Sequence, residues 1–535
     1  MKRIFNKLGA RVESAMNAPV NGNGASEANR DDSMFSLESV FRHRYQRGVN
    51  LGSWFVLERW IADEPFTYAI SPTQSDIDIA HGPHAKEVVE KHWDSWIQNE
   101  DWDYMRDHGI NAARIPIGYY HLCGADRSVL DGTDFYPVYE VYNGAWARIT
   151  RAIARAAESE IGVLLDLHAA PGKQNHDAHA GTSGPANFFG DPRCTITALK
   201  ILATHLKTFT QTFHPPLPNI IGVELLNEPV SPSDEPLKRW YRAAVKEIQS
   251  IDPGVPIYLG DCWRPETYAN FIRDLHPSTT TGPLTVMDHH LYRCFAQSDI
   301  STPVPAHTRA LCDYSTGTPK QLAEAAEVVG RAGDGLVVGE WSAAMNPGSL
   351  GGSYDEHREQ QREWVEAQLA LYDRVCAGWF FWTYKKQRRG DVGWSWRDAV
   401  EACVFPDFVA VRKREGFSYN RDDGKSKQAL EVARKSALDQ HIAYWAKYPG
   451  KYDHVRFSSG YTQGWHDALS FMSIDTRPNS GDSVNQIGFK AAWARKRTSD
   501  HGKSYWEYEA GFTQAVNTAA KWFASYQHYS DDERM

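Results

Sequence analysis

Ile220-Ile221-Gly222-Val223-Glu224-Leu225-Leu226-Asn227-Glu228-Pro229 and Leu336-Val337-Val338-Gly339-Glu340-Trp341 are two apolar, β-like runs, each closing on a glutamate. In a barrel of parallel strands, residues at the C-terminal strand ends converge on one mouth, so carboxylates far apart in sequence face each other there. Two carboxylates about 5 Å apart are what a retaining glycosidase uses, one as acid and then base, the other as nucleophile. Glu228 and Glu340 are therefore the candidate catalytic pair, and Asn227, beside the first, is placed to hydrogen-bond a sugar 2-OH.

Outward from these runs the same pattern repeats. From Arg47 onward, short apolar runs alternate with stretches of helical period, as in successive βα units. Eight candidate strands fall at 48–54, 112–118, 162–168, 220–227, 256–260, 284–290, 336–341 and 378–384, with helical stretches such as 86–108, 142–159, 236–251 and 354–375. Eight units in about 400 residues predict an α/β protein, a TIM (β/α)8 barrel with loop insertions. The alternative, a doubly wound open sheet, lacks its main signal, since no GxGxxG follows the first strand. Loops at 182–192 and 298–318, which carry Gly, Pro and Ser, follow strands three and six and are expected to rim the mouth. Residues 1–40 read as a flexible lead-in and 41–449 as the barrel. Residues 450–535 form a mainly helical, aromatic-rich extension, expected to pack on the barrel in preference to binding sugar.

Composition narrows the function. Hydrophobic residues are 42% of the 535 and charged residues 23%, with no apolar run near the roughly 20 residues that span a bilayer. A transmembrane protein is thereby disfavoured. The formal charge of -9 is spread along the chain without a basic block, which argues against nucleic acid as partner. Nineteen Trp and 25 Tyr suit the stacking of sugar faces as well as packing. The seven cysteines have no CxxC spacing and read as reduced thiols. The N-terminus carries positive charge without a following apolar stretch, so a cytoplasmic location is expected. A mitochondrial presequence built on Lys2, Arg3, Lys7 and Arg11 is the alternative, interrupted by Glu13.

A nucleophilic carboxylate must stay ionised, which calls for a buried cation nearby. Arg114 lies inside the second apolar run, is costly to bury unpaired, and is expected to pair with Glu340. His168 and the triplet Asp288-His289-His290 end strands three and six, where polar groups meet sugar hydroxyls, and Trp382 near the end of strand eight offers an indole as floor. A rival reading makes His168, His176, His179, His289 and His290 a metal site. It is disfavoured because no HExxH or His-x-His pair stands at a strand end, so neither metal nor organic cofactor is expected.

Further motifs carry a resemblance. Arg47-Gly48-Val49-Asn50-Leu51-Gly52-Ser53-Trp54 with Leu57-Glu58, and Asp166-Leu167-His168-Ala169-Ala170-Pro171-Gly172-Lys173-Gln174-Asn175, are similar to the opening strand and third-strand loop of the fungal exo-β-1,3-glucanase branch of cellulase family 5. The likeness spans roughly residues 45–400. It implies Glu228 as acid/base, Glu340 as nucleophile, an inner shell of Arg114, His168, Asn227, His290, Tyr292 and Trp382, and a contact from Glu58 to the terminal glucose. Two positions depart from the branch. Ser53 stands where a second Gly is usual, and His176-Asp177 stand where those enzymes place one aromatic of a clamp on the next sugar, its partner surviving as Phe295. The resemblance implies a retaining exo-β-1,3-glucanase acting on β-glucan oligosaccharides or other β-glucosides. The alternatives are an intracellular β-glucosidase for a glycolipid or small glucoside, an endo-acting glucanase, and a catalytically silent glucan-binding protein.

Overall fold

The alternation of apolar and helical segments closes on itself. The computed structural model describes residues 34–532, other than 195, 199–200, 202–216, 276–282, 414–418, 422 and 475–481. Its strands are β1 (Gln46–Asn50), β2 (Ala112–Gly118), β3 (Gly162–Ala169), β4 (Ile220–Glu224), β5 (Ile257–Gly260), β6 (Thr285–Leu291), β7 (Gly335–Trp341) and β8 (Gly378–Phe381). All pairs are parallel and β1 bonds to both β2 and β8, so the eight strands form a closed barrel. Nearly every strand residue is buried, as expected of strands covered by helices outside and filled by side chains inside.

Several boundaries differ from the sequence reading, among them that of β8, which stops at Phe381 rather than at 384. β1 ends at Asn50 because the next residues turn out of the sheet: Gly52 N–H donates to Thr383 Oγ1 at 3.0 Å and Ser53 takes φ +54°. β4 ends at Glu224, four residues before Glu228. The stretch expected as one helix over 86–108 breaks into Ala85–Trp96 and Asn99–Asp107, where Gln98 N–H is capped by Asp101 Oδ2 at 2.8 Å. The expected loop at 298–318 is largely helical, with elements Gln297–Ser301 and Val304–Leu311.

Of the expected flexible segment, residues 1–33 lie outside the described residues. Its end joins helix α1 (Leu37–His43), whose Val40 and Phe41 are buried. The C-terminal part is a second helical core of α2 (Gly424–Trp445), α3 (His454–Ser473), α4 (Lys490–Lys496) and α5 (Tyr505–Asp532). Helix α2 precedes position 450 yet gives Leu430 and Ala437 to this core. Helices α3 and α5 touch backbone to backbone: a Cβ on Gly460 or Gly464 would lie 2.0 and 2.4 Å from the carbonyl oxygens of Tyr508 and Phe512. Most of the large aromatics of this part, Trp465, Trp493, Tyr461 and Phe512 among them, are buried here.

The second core seals the barrel floor. Phe489 and Phe41 pack with Ala112, Leu164, Ile221, Tyr258 and Phe380 at the N-terminal ends of the strands. Tyr45 N–H donates to Gln486 O and Arg44 Nη1 to Asn485 Oδ1 at 3.1 Å. The opposite, C-terminal mouth is left open. No helix among the described residues is long and apolar enough to cross a membrane.

Candidate active site

At the open end, Arg114 organises the floor of the site. Its guanidinium, wholly buried, donates through Nε to Glu224 Oε2 (2.6 Å), through Nη1 to Asn50 Oδ1 and Glu340 Oε1 (both 3.0 Å), and through Nη2 to Asn227 Oδ1 (2.8 Å), with Asp166 Oδ2 at 3.2 Å. One planar fork thus fixes residues from β1, β3, β7 and the segment after β4. Burial pushes Glu224 up to about 8 and Asp166 up to about 7, in both cases against the pull of Arg114. The sequence reading missed Asn50, Asp166 and Glu224 as members of this network. The cost of burying an ionisable group in an apolar run, which singled out Arg114, points equally to Glu224.

Glu340 is aimed by a bulge. The register of β6 and β7 shifts so that His289 pairs with Val338 and His290 with Glu340, leaving Gly339 as the extra residue. Gly339 N–H donates to Asp288 Oδ1 at 2.7 Å, and a Cβ there would lie 2.1 Å from the same carboxylate, so only glycine fits. Tyr292 O–H donates to Glu340 Oε2 at 2.9 Å. Burial pushes Glu340 up to about 7, with the Glu228 charge adding to it and His290, Arg114 and Tyr292 opposing.

Glu228 sits in a turn at φ +43°, an uncommon conformation for a residue with a side chain. The loop after β3 holds it there. Gln174 Nε2 donates to Asn227 O (3.2 Å) and His168 O (2.7 Å), Asn175 Nδ2 to Glu228 O (3.2 Å), and Val230 N–H to Gln174 O (2.9 Å). His290 Nδ1 donates to Glu228 Oε1 at 2.7 Å and lies 3.5 Å from Glu340 Oε2. Burial disfavours charge on His290, but Glu340, Asp288 and Glu228 keep its proton on. Burial likewise pushes Glu228 up, and the hydrogen bond and charge of His290, with His179 and His168 behind it, override this and hold it at about 2. One oxygen of Glu228, one oxygen of Glu340 and a nitrogen of His290 lie within 4.8 Å of one another.

Around this pair opens a cavity of about 890 Å³. Glu58, His168 and Trp382, all buried, and the partly exposed His179 form its inner wall, Trp382 stacking on His168 with ring planes 9° apart. The outer part carries Trp60, Trp263, Phe295 and Trp394. Of the residues read from the sequence, Glu58, His168, Glu228, His290, Tyr292, Phe295, Glu340 and Trp382 line this cavity, while Arg114 and Asn227 lie beneath it. His176 is exposed and outside it. Trp263, missed in the sequence, stands 52% exposed after β5, where a φ of +59° turns it to the mouth. No spacing rule flags a tryptophan set by such a turn.

The five histidines of the metal reading do not assemble into one centre. His289 bonds Asp261 Oδ2 (2.7 Å), His290 bonds Glu228, and only His168 and His179 come together, their rings 4.8 Å apart and beside Glu58. Glu58, His168 and His179 bring three ligand-type atoms within 4.8 Å of one another, as do Glu228, His290 and Glu340. Both sets face the cavity that also holds the candidate catalytic pair.

The family model for cellulase (glycosyl hydrolase family 5) matches residues 80–388, more than half of the chain, and that for the glucan 1,3-beta-glucosidase 3 C-terminal domain matches 426–523. Glucan 1,3-beta-glucosidase 3 of Schizosaccharomyces pombe is 33% identical over 493 residues, covering 89% of this chain and 96% of the relative. An uncharacterized glycosyl hydrolase of Saccharomyces cerevisiae is 28% identical, covering 90% and 92%. Among solved structures, rutinosidase from Aspergillus niger matches with a TM-score of 0.53 at 18% identity, over 68% of this chain and 99% of that one, a likeness of fold. The chain belongs to glycosyl hydrolase family 5, with the barrel of that family followed by the C-terminal domain of the glucan 1,3-beta-glucosidase 3 type.

Proposed function

We propose that this glycoside hydrolase is a retaining, exo-acting β-glucosidase of the glucan 1,3-β-glucosidase type, with Glu340 as nucleophile and Glu228 as acid/base. The observation that carries it is the approach of the two carboxylates to within 4.8 Å. Retaining enzymes place them about 5–5.5 Å apart, whereas inverting enzymes leave about 6.5–9.5 Å for a water. The partners divide the roles. Arg114 and Tyr292 converge on Glu340 and stabilise its carboxylate as it attacks the anomeric carbon. Glu228 instead meets protonated His290, the cation that holds its carboxylate ionised in the resting site. Its proton source is His290 Nδ1, 2.7 Å away, so a glycosidic oxygen lodged on Glu228 is protonated as that hydrogen moves across. In the second half of the reaction Glu228 takes the proton of the incoming water. Glu58, His168, His179 and Trp382 line the inner part of the cavity, where a terminal sugar would lie.

A second reading differs in the leaving group. Trp263 and Phe295 are 52% and 69% exposed at the mouth, and Pro265, Leu291 and Leu322 line the same cavity. Such a lining also suits an apolar aglycone, as in a glycolipid. Release of glucose by the full-length protein from laminari-oligosaccharides, cello-oligosaccharides, an aryl β-glucoside and a glucosylated lipid, measured side by side, tests both. Preference for laminari-oligosaccharides supports the first reading, and preference for the lipid supports the second. Silence on all four overturns both and leaves a binding protein.

A further inference from the structure

Three side chains of the C-terminal core meet at a place that no step of the hydrolysis uses. Helix α2 brings His441 near its end, α3 begins at His454, and α5 carries Glu507 in its first turn. His441 Nε2 lies 3.1 Å and His454 Nδ1 3.2 Å from one and the same atom, Glu507 Oε2. The side chains of Glu507 and His441 are 1% and 7% exposed and that of His454 is 28% exposed, so the group is sunk among the helices and reachable from solvent beside His454.

The surrounding packing fixes these positions. A Cβ on Gly460 would lie 2.0 Å from Tyr508 O and one on Gly511 2.1 Å from Phe457 O, which puts α3 and α5 in backbone contact next to the cluster. His441 stacks on Phe457 with ring centroids 4.0 Å apart, and His454 on Tyr452 with ring planes 9° apart. Asp453 N–H donates to the other carboxylate oxygen, Glu507 Oε1, and so turns Oε2 toward both imidazoles. An outer hydrogen bond of this kind orients a carboxylate that ligates a metal through one oxygen.

The spacing and the donor set point to an ion. Charge-assisted hydrogen bonds draw nitrogen and oxygen to about 2.7–2.9 Å. Zinc holds nitrogen and oxygen ligands at about 2.0–2.1 Å, which sets two corners of its tetrahedron about 3.3 Å apart. The separations of 3.1 and 3.2 Å are nearer to that edge, and all three atoms lie within 4.8 Å of one another. Two imidazoles with one carboxylate suit zinc, whereas calcium and magnesium take oxygen ligands. Three protein ligands leave a fourth corner for water, on the side where His454 meets solvent.

We propose that His441, His454 and Glu507 form a zinc site that clamps the end of α2 to the starts of α3 and α5. The ion takes the place of the hydrogens that point at Oε2, and each imidazole carries its hydrogen on the outer nitrogen. None of the three residues lines the mouth cavity, so the ion is structural and takes no part in hydrolysis.

The test uses the full-length protein, stripped with a chelator, as wild type, His441→Gln and His454→Gln. An amide still donates to Glu507 and keeps the hydrogen-bonded packing, but it is a poor ligand for zinc. Zinc dissociation constants are measured by calorimetry at neutral pH, thermal midpoints with and without zinc, and fold by circular dichroism. Wild type is expected to bind zinc with a Kd of about 1 µM or tighter, and its midpoint to rise with zinc. Each variant should fold, lose affinity at this site by about 100-fold or more, and hydrolyse an aryl β-glucoside as wild type does. The mouth cavity also carries histidines and glutamates, so the difference between wild type and variant decides, not the number of ions bound. Zinc affinity in either folded variant within about threefold of wild type, or a wild-type midpoint that zinc does not raise, overturns the proposal and leaves an ion-pair cluster only. Should one variant not fold, the other decides alone, and the wild-type midpoint decides without either.

Discussion

Replacing Tyr292 by Phe removes one oxygen and one hydrogen bond, the 2.9 Å donation to Glu340 Oε2, and leaves the ring. The ring stays packed between Phe295 and Trp394, at centroid distances of 5.6 and 5.5 Å. A hydrogen bond to a charged group contributes about 1.5–3 kcal/mol, and one pKa unit corresponds to about 1.4 kcal/mol. The hydroxyl favours the ionised form of Glu340, so its loss raises that pKa from about 7 in the direction burial already drives it. The expected rise is about one to two units. A nucleophile works only when ionised, so the acidic limb of kcat/KM should move to higher pH by that amount, and activity at pH 7 should fall by about 5- to 50-fold. The assay is kcat/KM on an aryl β-glucoside with a good leaving group from pH 4 to 9, where acid assistance matters least. An acidic limb that stays in place in Tyr292→Phe, or moves to lower pH, refutes the reasoning, because Glu340 would then not be the group whose ionisation the hydroxyl supports.

Three further outcomes follow from the geometry. Phe489→Ala empties a fully packed site at the barrel floor and is expected to destabilise the protein by about 3–5 kcal/mol, lowering its thermal midpoint while KM for a small glucoside is unchanged. Gly339→Ala forces a Cβ against the Asp288 carboxylate and displaces Glu340, so kcat/KM should fall by about 100-fold or more in protein that remains folded by circular dichroism. Trp263→Ala should raise KM for a laminari-disaccharide by about 10-fold, from loss of a stacking face, and leave kcat on a small aryl glucoside within about twofold.

The parts of this molecule that were legible in the sequence are those with a local physical cost. Strand-end glutamates in apolar runs located Glu228 and Glu340, and an arginine inside a strand located Arg114, since a buried guanidinium demands carboxylates. The eight-strand barrel followed from the repeat of short apolar and longer helical segments. What the sequence hid depends on conformation set by distant residues. Glu228 lies beyond β4 in a turn fixed by Gln174 and Asn175, not at the strand's last position. Trp263 and His179 reach the cavity only through the turns that carry them. The helical character of 298–318 was masked by its Pro and Ser, which here stand at helix starts, as Pro303 does before Val304–Leu311. The aromatic load of the extension suggested either packing or sugar binding. Its place under the barrel floor, through Phe489 and the 485–488 backbone, is a tertiary fact without a local signature.

The most direct measurement is to trap the covalent intermediate. The full-length protein is incubated with an activated 2-deoxy-2-fluoro-β-glucoside, which forms the glucosyl-enzyme but hydrolyses slowly, and the labelled residue is mapped by peptide mass spectrometry. The account predicts one label per chain, on Glu340, absent in Glu340→Gln and retained in Glu228→Ala, because an activated leaving group needs little acid assistance. A label on Glu228, or intact turnover with inversion of the anomeric configuration and no label on either glutamate, would contradict it.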